Sequence, residues 1–533
     1  MVINCMKVKL NNKFNFVVAG GGTAGWICAL WVKHYFPETN VTVIENPEIG
    51  VIGVGESTTP HFFSMINELG ISIEDFITNT QSTFKNAIKF TNWNGDNKHY
   101  YHGFSQDPNV SWHSMGPDYC VPSMRALEII KNDKTDILNS IDLTSQACEH
   151  NRVRYSPNSQ FISKPQTDSP VNRFKSHGNH ALHIDGVLTS SYFKKIGLTR
   201  GIQVIDGTIS KINNDKNEYI KSIELKDKTI VSCDFVFDCT GFKRLIIGKH
   251  YKSEWESYKE HLPVNKAITF SQPLMPEVIP PYTEAVAMKY GWVWKTPLQH
   301  RSGCGYVFDS SYINEDQAKA ELNEYFGDSI KIGKTVSFEA GTYKNIWTKN
   351  CIAVGLASGF IEPLESTSIM TTILTLCSFL RHLDGLDDDN ERARKIFNKT
   401  VNNITNSVLT FVCFHYYTKR ADTEFWRDFR KKNKPPIGLQ KIINDNNSIL
   451  TLHKSYSYEE SLNGAFSLYS WDQVGIGIGF YNKDEATNIF NAYNTGHRRD
   501  MLESLKLQHE INTSRMLPSL VNHKVFLKHL IKK

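Results

Sequence analysis

The sequence predicts an α/β protein whose first module is assembled from separated pieces of chain, and three observations carry that prediction. An apolar run, Phe14 to Ala19, leads into Gly20-Gly21-Gly22-Thr23-Ala24-Gly25 and then into a helical pattern through Leu30 and Trp31. A second apolar run, Val41 to Ile44, ends on Glu45, twenty residues past Gly25. Far along the chain, Phe235 to Phe237 runs into Asp238-Cys239-Thr240-Gly241-Phe242, and Ile352 to Val354 into Gly355-Leu356-Ala357-Ser358-Gly359-Phe360.

Taken in order, each piece has a physical reason. A short run of Val and Phe suits a strand buried on both faces of a parallel sheet. The G-x-G-x-x-G that follows lets the backbone approach a pyrophosphate, whose charge then faces the free N–H groups at a helix N-terminus. Glu45 stands where a ribose-binding carboxylate belongs. Strand, turn, helix, strand and acid in this register read as a dinucleotide site, with FAD and NAD both open. The two later strands end in small-residue turns, and such separated pieces are typical of FAD oxidoreductases. Taken singly, each turn also reads as an ordinary strand-to-loop connection. The fold class is therefore α/β, with a discontinuous Rossmann-type FAD-binding module.

Composition narrows the classes. The chain has 533 residues, 40% hydrophobic and 22% charged, with 60 basic against 55 acidic side chains and a net charge of +5. At roughly 100 to 200 residues per domain, two to four units are permitted, and disorder and coiled coils are excluded. No basic block exceeds short runs such as Arg430 to Lys434, so no nucleic acid is expected as a partner. The ten cysteines are irregularly spaced without Cys-x-x-Cys, which reads as buried free thiols in a reducing compartment. No apolar stretch approaches the ~18 residues of a membrane span, and no signal-peptide pattern opens the chain, so no membrane partner is expected. Abundant Asn, Lys and Ile suit an AT-rich genome. The expected location is cytoplasmic, in a microbe or a phage-infected host cell. Neither His-Glu-x-x-His nor a tetrahedral Cys/His spacing occurs, so no metal is expected. Serine hydrolase and P-loop motifs are missing too.

Several segments together resemble the flavin-dependent halogenases, often called tryptophan halogenases. They are Gly20 to Trp26 (GGGTAGW), Val54 to Pro60 (VGESTTP), Phe84 to Trp93 (FKNAIKFTNW), Gly291 to Leu298 (GWVWKTPL) and Gly355 to Ile369 (GLASGFIEPLESTSI). Asp238 to Phe242 and His415 to Asp428 (HYYTKRADTEFWRD) also fit, and the matches run in family order from residue 14 to about residue 480. Trp292-x-Trp294-x-x-Pro297 is similar to the family's W-x-W-x-I-P signature, with Thr296 where isoleucine is usual. The double tryptophan separates halogenases from monooxygenase relatives better than the glycine motif does.

The resemblance implies a FAD-binding module of residues 1–84 with 186–400, and a mainly helical substrate-binding module of residues 85–185 with 401–533. It implies that reduced flavin (FADH2) and molecular oxygen oxidise a halide ion, chloride, bromide or iodide, to hypohalous acid. The acid then travels through a tunnel to an aromatic substrate. A separate flavin reductase would supply the FADH2, in agreement with a single dinucleotide fingerprint. A homo-oligomer is left open.

The site residues follow from the matched motifs. Lys85 takes the place of the family's catalytic lysine, which holds the halogen beside one ring carbon by a hydrogen bond or as a haloamine. Out of context it would read as a solvated surface lysine; Lys89, one helical turn later, is the control. Glu365, rather than Glu362, matches the catalytic glutamate that stabilises the cationic ring and accepts its proton. Beside Ser366 and Thr367 it is also good helix-capping material. The backbone amides of Thr367 and Ser368 would hold halide, as the first turn of a helix can. Gly20, Gly21, Gly22, Thr23, Ala24, Gly25 and Glu45 would bind FAD, with Leu356 and Ile369 against the flavin and Val204 near the adenine. Trp292 and Trp294 would line the tunnel, although alternating tryptophans also read as strand core.

Tyr101-His102-Gly103-Phe104 resembles the segment whose histidine and phenylalanine sandwich an indole, so His102 and Phe104 are the substrate residues. Ser470 to Val474 (SWDQV) resembles halogenases of less certain substrate, and the Tyr-Tyr and Phe-Trp clamp for an amino-acid group is not evident in Ser455 to Ser470. An indole or another electron-rich small aromatic is expected over free tryptophan. The alternatives are a flavin-dependent aromatic monooxygenase and a non-catalytic FAD-binding module.

Overall fold

The N-terminal strand, Asn15–Ala19, lies inside a six-stranded sheet of order Gln203–Asp206, Asn40–Glu45, Asn15–Ala19, Phe235–Asp238, Cys351–Ala353 and Trp347–Thr348. The computed structural model describes residues 10–48, 55–104, 122–140, 142–157, 174–176, 179–274, 277–327, 330–387, 390–455 and 465–531. The first five strands are parallel and only the last pair is antiparallel. The predicted pieces thus meet in one sheet. Ala19 is in register with Ile44 on one side and Asp238 on the other, so the glycine turn, Glu45 and Cys239 emerge together at the carboxyl ends of their strands. Between the first strand and Phe235–Asp238 the strand order reverses, which is where α/β sheets bind ligands.

Two helices cover this sheet with apolar faces. Thr23–Tyr35 buries Trp26, Ile27, Cys28, Ala29 and Leu30. Thr367–Arg381 brings Phe379 to 5.6 Å from Phe235 and 5.3 Å from Phe237, ring centre to ring centre. Rings at such spacings add about 0.5–1.5 kcal/mol per pair beyond the area they bury.

The chain divides into two compact units. The first comprises residues 1–80, 184–259 and 339–405 and holds the six-stranded sheet with two small three-stranded sheets. The second comprises residues 81–183, 260–338 and 406–533. Its centre is a seven-stranded sheet, ordered Lys331–Ser337, Lys266–Gln272, Ser302–Phe308, Gly291–Pro297, Tyr282–Ala287, Ala87–Thr91 and His99–Gly103. Helices of the second unit include Met124–Asn132, Glu424–Lys432, Leu468–Gly477 and Gly496–Ser519. The His415 to Asp428 segment is core there: buried Arg420 donates to the carbonyls of Asn92 and Ala287, and Trp426 donates to Met288. No described helix is long and apolar enough to cross a membrane.

Candidate active site

In the first unit the glycine turn has one packed side and one open side. Gly20 has φ +124°, and a Cβ there would lie 2.3 Å from the Cys239 carbonyl oxygen. A Cβ on Gly21 would strike the Glu45 carboxylate at 2.0 Å, whereas one on Gly22 would meet nothing within 4 Å. The backbone is thus bare where a pyrophosphate must approach, and the Thr23–Tyr35 helix starts there without a side-chain cap. Lys194 and the Trp26 indole N–H engage the Glu45 carboxylate, whose two oxygens retain lone pairs for a ribose hydroxyl. Val204 pairs with Val43 on the strand that ends in Glu45. Gly355, φ +66°, is packed so that a Cβ would lie 2.6 Å from the Ala24 methyl, which sets Leu356 beside the glycine motif. Asp238 stiffens the neighbouring turn, accepting from the N–H groups of Thr240, Ile246 and Ile247 at 3.0, 3.0 and 2.8 Å.

Glu365 and Ser366 are consecutive left-handed residues, φ 65° and 59°. Neither is glycine, and such conformations cost about 1–3 kcal/mol each and persist where the surroundings enforce them. The kink turns the chain sharply into the Thr367–Arg381 helix. Ser366 is the N-cap residue, but its side chain makes no capping bond, and the first turn contains no acid. That turn, with Thr367, Ser368 and Ile369, keeps the electropositive character that suits an anion. Glu365 is 2% exposed and Glu362 is fully buried.

In the second unit, Lys85 ends the short strand Thr83–Lys85 and is 0% exposed. Its Nζ lies 4.8 Å above the Phe104 ring, a cation–π contact that partly replaces lost water. The Asn86 N–H donates to the Pro281 carbonyl at 2.7 Å, and the Phe104 N–H to the Asn86 carbonyl at 3.1 Å, so the ring and the lysine are tied through one residue. His102 is buried, 6.3 Å from Phe104 and 5.6 Å from Phe411, with Phe411 and Phe466 stacked at 3.9 Å. Lys89 is not one helical turn on. It lies in the strand Ala87–Thr91, half-buried, against Tyr101 and Tyr282 at 5.9 and 5.5 Å. The structure thus brings Lys85, His102 and Phe104 together and sends Lys89 elsewhere.

Trp292 and Trp294 share one face of Gly291–Pro297 and are buried. Trp294 lies on Gly305, where a Cβ would fall 2.0 Å from its ring. Trp292 Nε1 and Thr296 Oγ1 find no hydrogen-bond partner among the described residues. The sequence reading missed Gln473, whose Oε1 accepts from the Gly103 N–H at 3.1 Å and whose Nε2 donates to Tyr469 at 2.7 Å. Only the SWDQV match marked that segment.

A family model described as tryptophan halogenase matches residues 15–491. The chain belongs to that family. The tryptophan 6-halogenase SttH of Streptomyces toxytricini is 28% identical over 450 residues, 81% of this chain and 83% of its own. The tryptophan 7-halogenase RebH of Lentzea aerocolonigenes is 27% identical over 448 residues, 80% of each chain. Among solved structures, BrvH, a flavin-dependent halogenase from Brevundimonas sp. BAL3, superposes with a TM-score of 0.78 at 26% identity, covering 96% of this chain and 98% of its own. This protein is accordingly a flavin-dependent halogenase, working with reduced FAD, halide and oxygen. Val54 in VGESTTP, and residues 456–464 of the Ser455 to Ser470 segment in which no clamp is evident, lie outside the described residues.

Proposed function

We propose that the halogenase separates two steps, making hypohalous acid at the flavin site and spending it at Lys85 on an indole or similar electron-rich arene. The observation that carries this reading is the buried Lys85 ammonium on the face of Phe104 beside His102. A lysine kept entirely from water needs a reason, and placing a halogen beside a flat aromatic ring is a sufficient one.

Gly20 to Gly25, Glu45, Val204, Leu356 and Ile369 would hold the FAD, and the bare side of the glycine turn supports the fit. When bound and reduced, it supplies with oxygen the oxidising equivalents that convert halide to hypohalous acid. The uncapped first-turn amides at Thr367 and Ser368 would concentrate the halide. Trp292 and Trp294 would keep the arene from the oxidising chemistry while a small oxidant passes. At Lys85, a hydrogen bond from Nζ or an N–halogen bond fixes the halogen, and both need the same placement. Halogen replaces a ring hydrogen, water is the other product, and Glu365 would take the ring proton. A separate flavin reductase is the partner, and the eight free thiols among the described residues fit a cytoplasmic place of work.

SttH and RebH are named for tryptophan. The aromatic cluster of His102, Phe104, Phe411 and Phe466 supports a smaller apolar arene here. The test is mass spectrometry of products from indole and free tryptophan with the halogenase, a flavin reductase, NADH, FAD and bromide or chloride. Haloindole in excess of halotryptophan is expected. Preference for tryptophan would overturn the substrate reading, and hydroxylated arene without halogen would favour a monooxygenase.

A further inference from the structure

The strand that carries Lys85 is three residues long, too short to fix a side chain by its own ladder. It is held from both sides. On one side, Asn86 is bonded to the Pro281 carbonyl. On the other, Thr83 Oγ1 donates to the Pro297 carbonyl at 2.6 Å, at the end of the strand that bears Trp292 and Trp294. A hydroxyl has one proton to give, so Thr83 must accept from the imidazole of His183, whose Nδ1 lies 2.8 Å away. His183 Nδ1 therefore carries its proton and Nε2 is left to accept, which it does from Thr283 Oγ1 at 3.1 Å. The result is a directed chain, Thr283 to His183 to Thr83 to Pro297, with every link buried. It spans the Lys85 strand and two strands of the seven-stranded sheet.

Register brings the chain to the lysine. Thr83 pairs with His183 and Lys85 with Ala181, so Lys85 and His183 are diagonal neighbours on one face. Burial first, then the Lys85 charge, holds the imidazole well below its usual range, in keeping with the one-donor, one-acceptor role that the hydroxyls impose.

From these contacts we infer that His183 is a positioning residue for halogen transfer: as a neutral Nδ1–H tautomer bridging Thr83 and Thr283, it fixes where the Lys85 ammonium stands relative to the arene. This rests on the reading of Lys85 as the residue that holds the halogen. His183 would thus act through Lys85 and not by touching oxidant or substrate. A side chain misplaced by about 1 Å at such a site costs on the order of 10²-fold.

The experiment compares wild type, His183→Leu, His183→Gln, Thr283→Val and Lys85→Ala. For each, haloindole is quantified by mass spectrometry and hypohalous acid by a chemical trap, per flavin oxidised. His183→Leu should lose about 10- to 100-fold in haloindole while trapped oxidant stays at or above the wild-type yield. Glutamine, which offers one donor and one acceptor, should restore most of the product. Thr283→Val, a milder cut, should fall between, and adding His183→Leu to Lys85→Ala should cost nothing further. Full product from both His183→Leu and Thr283→Val would overturn the inference. So would parallel loss of product and trapped oxidant in Leu and Gln variants alike, the mark of a fold contact only. If Lys85→Ala itself keeps full product, the lysine reading has failed and takes this one with it; if Lys85→Ala loses product while His183→Leu and Thr283→Val keep it, this inference alone has failed.

Discussion

At the scale of single residues, Glu365 and Lys85 share a property their motifs do not announce: both are ionisable groups taken almost wholly out of water. Lysine is almost never fully buried, so chemistry alone reads Lys85 as surface, and only the matched Phe84 to Trp93 segment marked it. Glu365 was marked the same way, but its left-handed backbone was not foreseeable, since nothing in Leu364-Glu365-Ser366 favours φ > 0. His183 and Gln473 were missed because their roles lie in hydrogen bonds to distant residues, Thr283 and Gly103, which no local pattern encodes. Glu365→Gln preserves shape while removing the charge that would receive the ring proton. Steady-state haloindole formation should fall by about 10²- to 10⁴-fold with flavin oxidation retained. Unchanged turnover would leave Glu365 with a backbone role alone.

At the scale of elements, legibility follows burial. The strands Asn15–Ala19, Asn40–Glu45 and Phe235–Asp238 read correctly because a parallel sheet covered on both faces favours largely apolar runs, and small or turn-forming residues follow each of them. Phe84 to Trp93 was harder. Its i, i+4 lysines fit a helix in isolation, yet Asn86 breaks the segment into two short strands that pair with different partners. The element beside Lys85 also carries a pH consequence. His523 is buried, its Nδ1–H donates to the Ile279 carbonyl at 2.9 Å, and its Nε2 accepts the Phe84 N–H at 3.1 Å. Burial lowers it to about 4. Because the folded state binds fewer protons than the unfolded one between pH 6.5 and 4, stability drains away as pH falls through that window. The loss is about 3 kcal/mol in all, from the one-unit equivalence of 1.36 kcal/mol. Chemical denaturation at pH 7 and pH 4.5 should show a smaller acid loss in His523→Gln than in wild type, and equal losses would remove His523 from the account.

At the scale of the whole molecule, the family, the cofactor and the α/β class were legible from a handful of spaced motifs, because those motifs sit at turns whose geometry tolerates few residue types. Gly20 is the clearest case, its φ of +124° and its approach to Cys239 both excluding a side chain. The seven-stranded sheet of the second unit was not legible. Its strands are covered unevenly: Ser302–Phe308 is buried throughout, whereas the edge strand Lys331–Ser337 is largely accessible, so no single periodicity identifies them. The proposed division of labour makes the oxidant's manufacture independent of its use. The most direct test is Lys85→Ala under multiple-turnover conditions, with haloindole and trapped hypohalous acid counted against flavin oxidised. The account predicts haloindole reduced at least about 100-fold with trapped oxidant undiminished. Haloindole formed at the wild-type rate, or oxidant lost together with product, would contradict it.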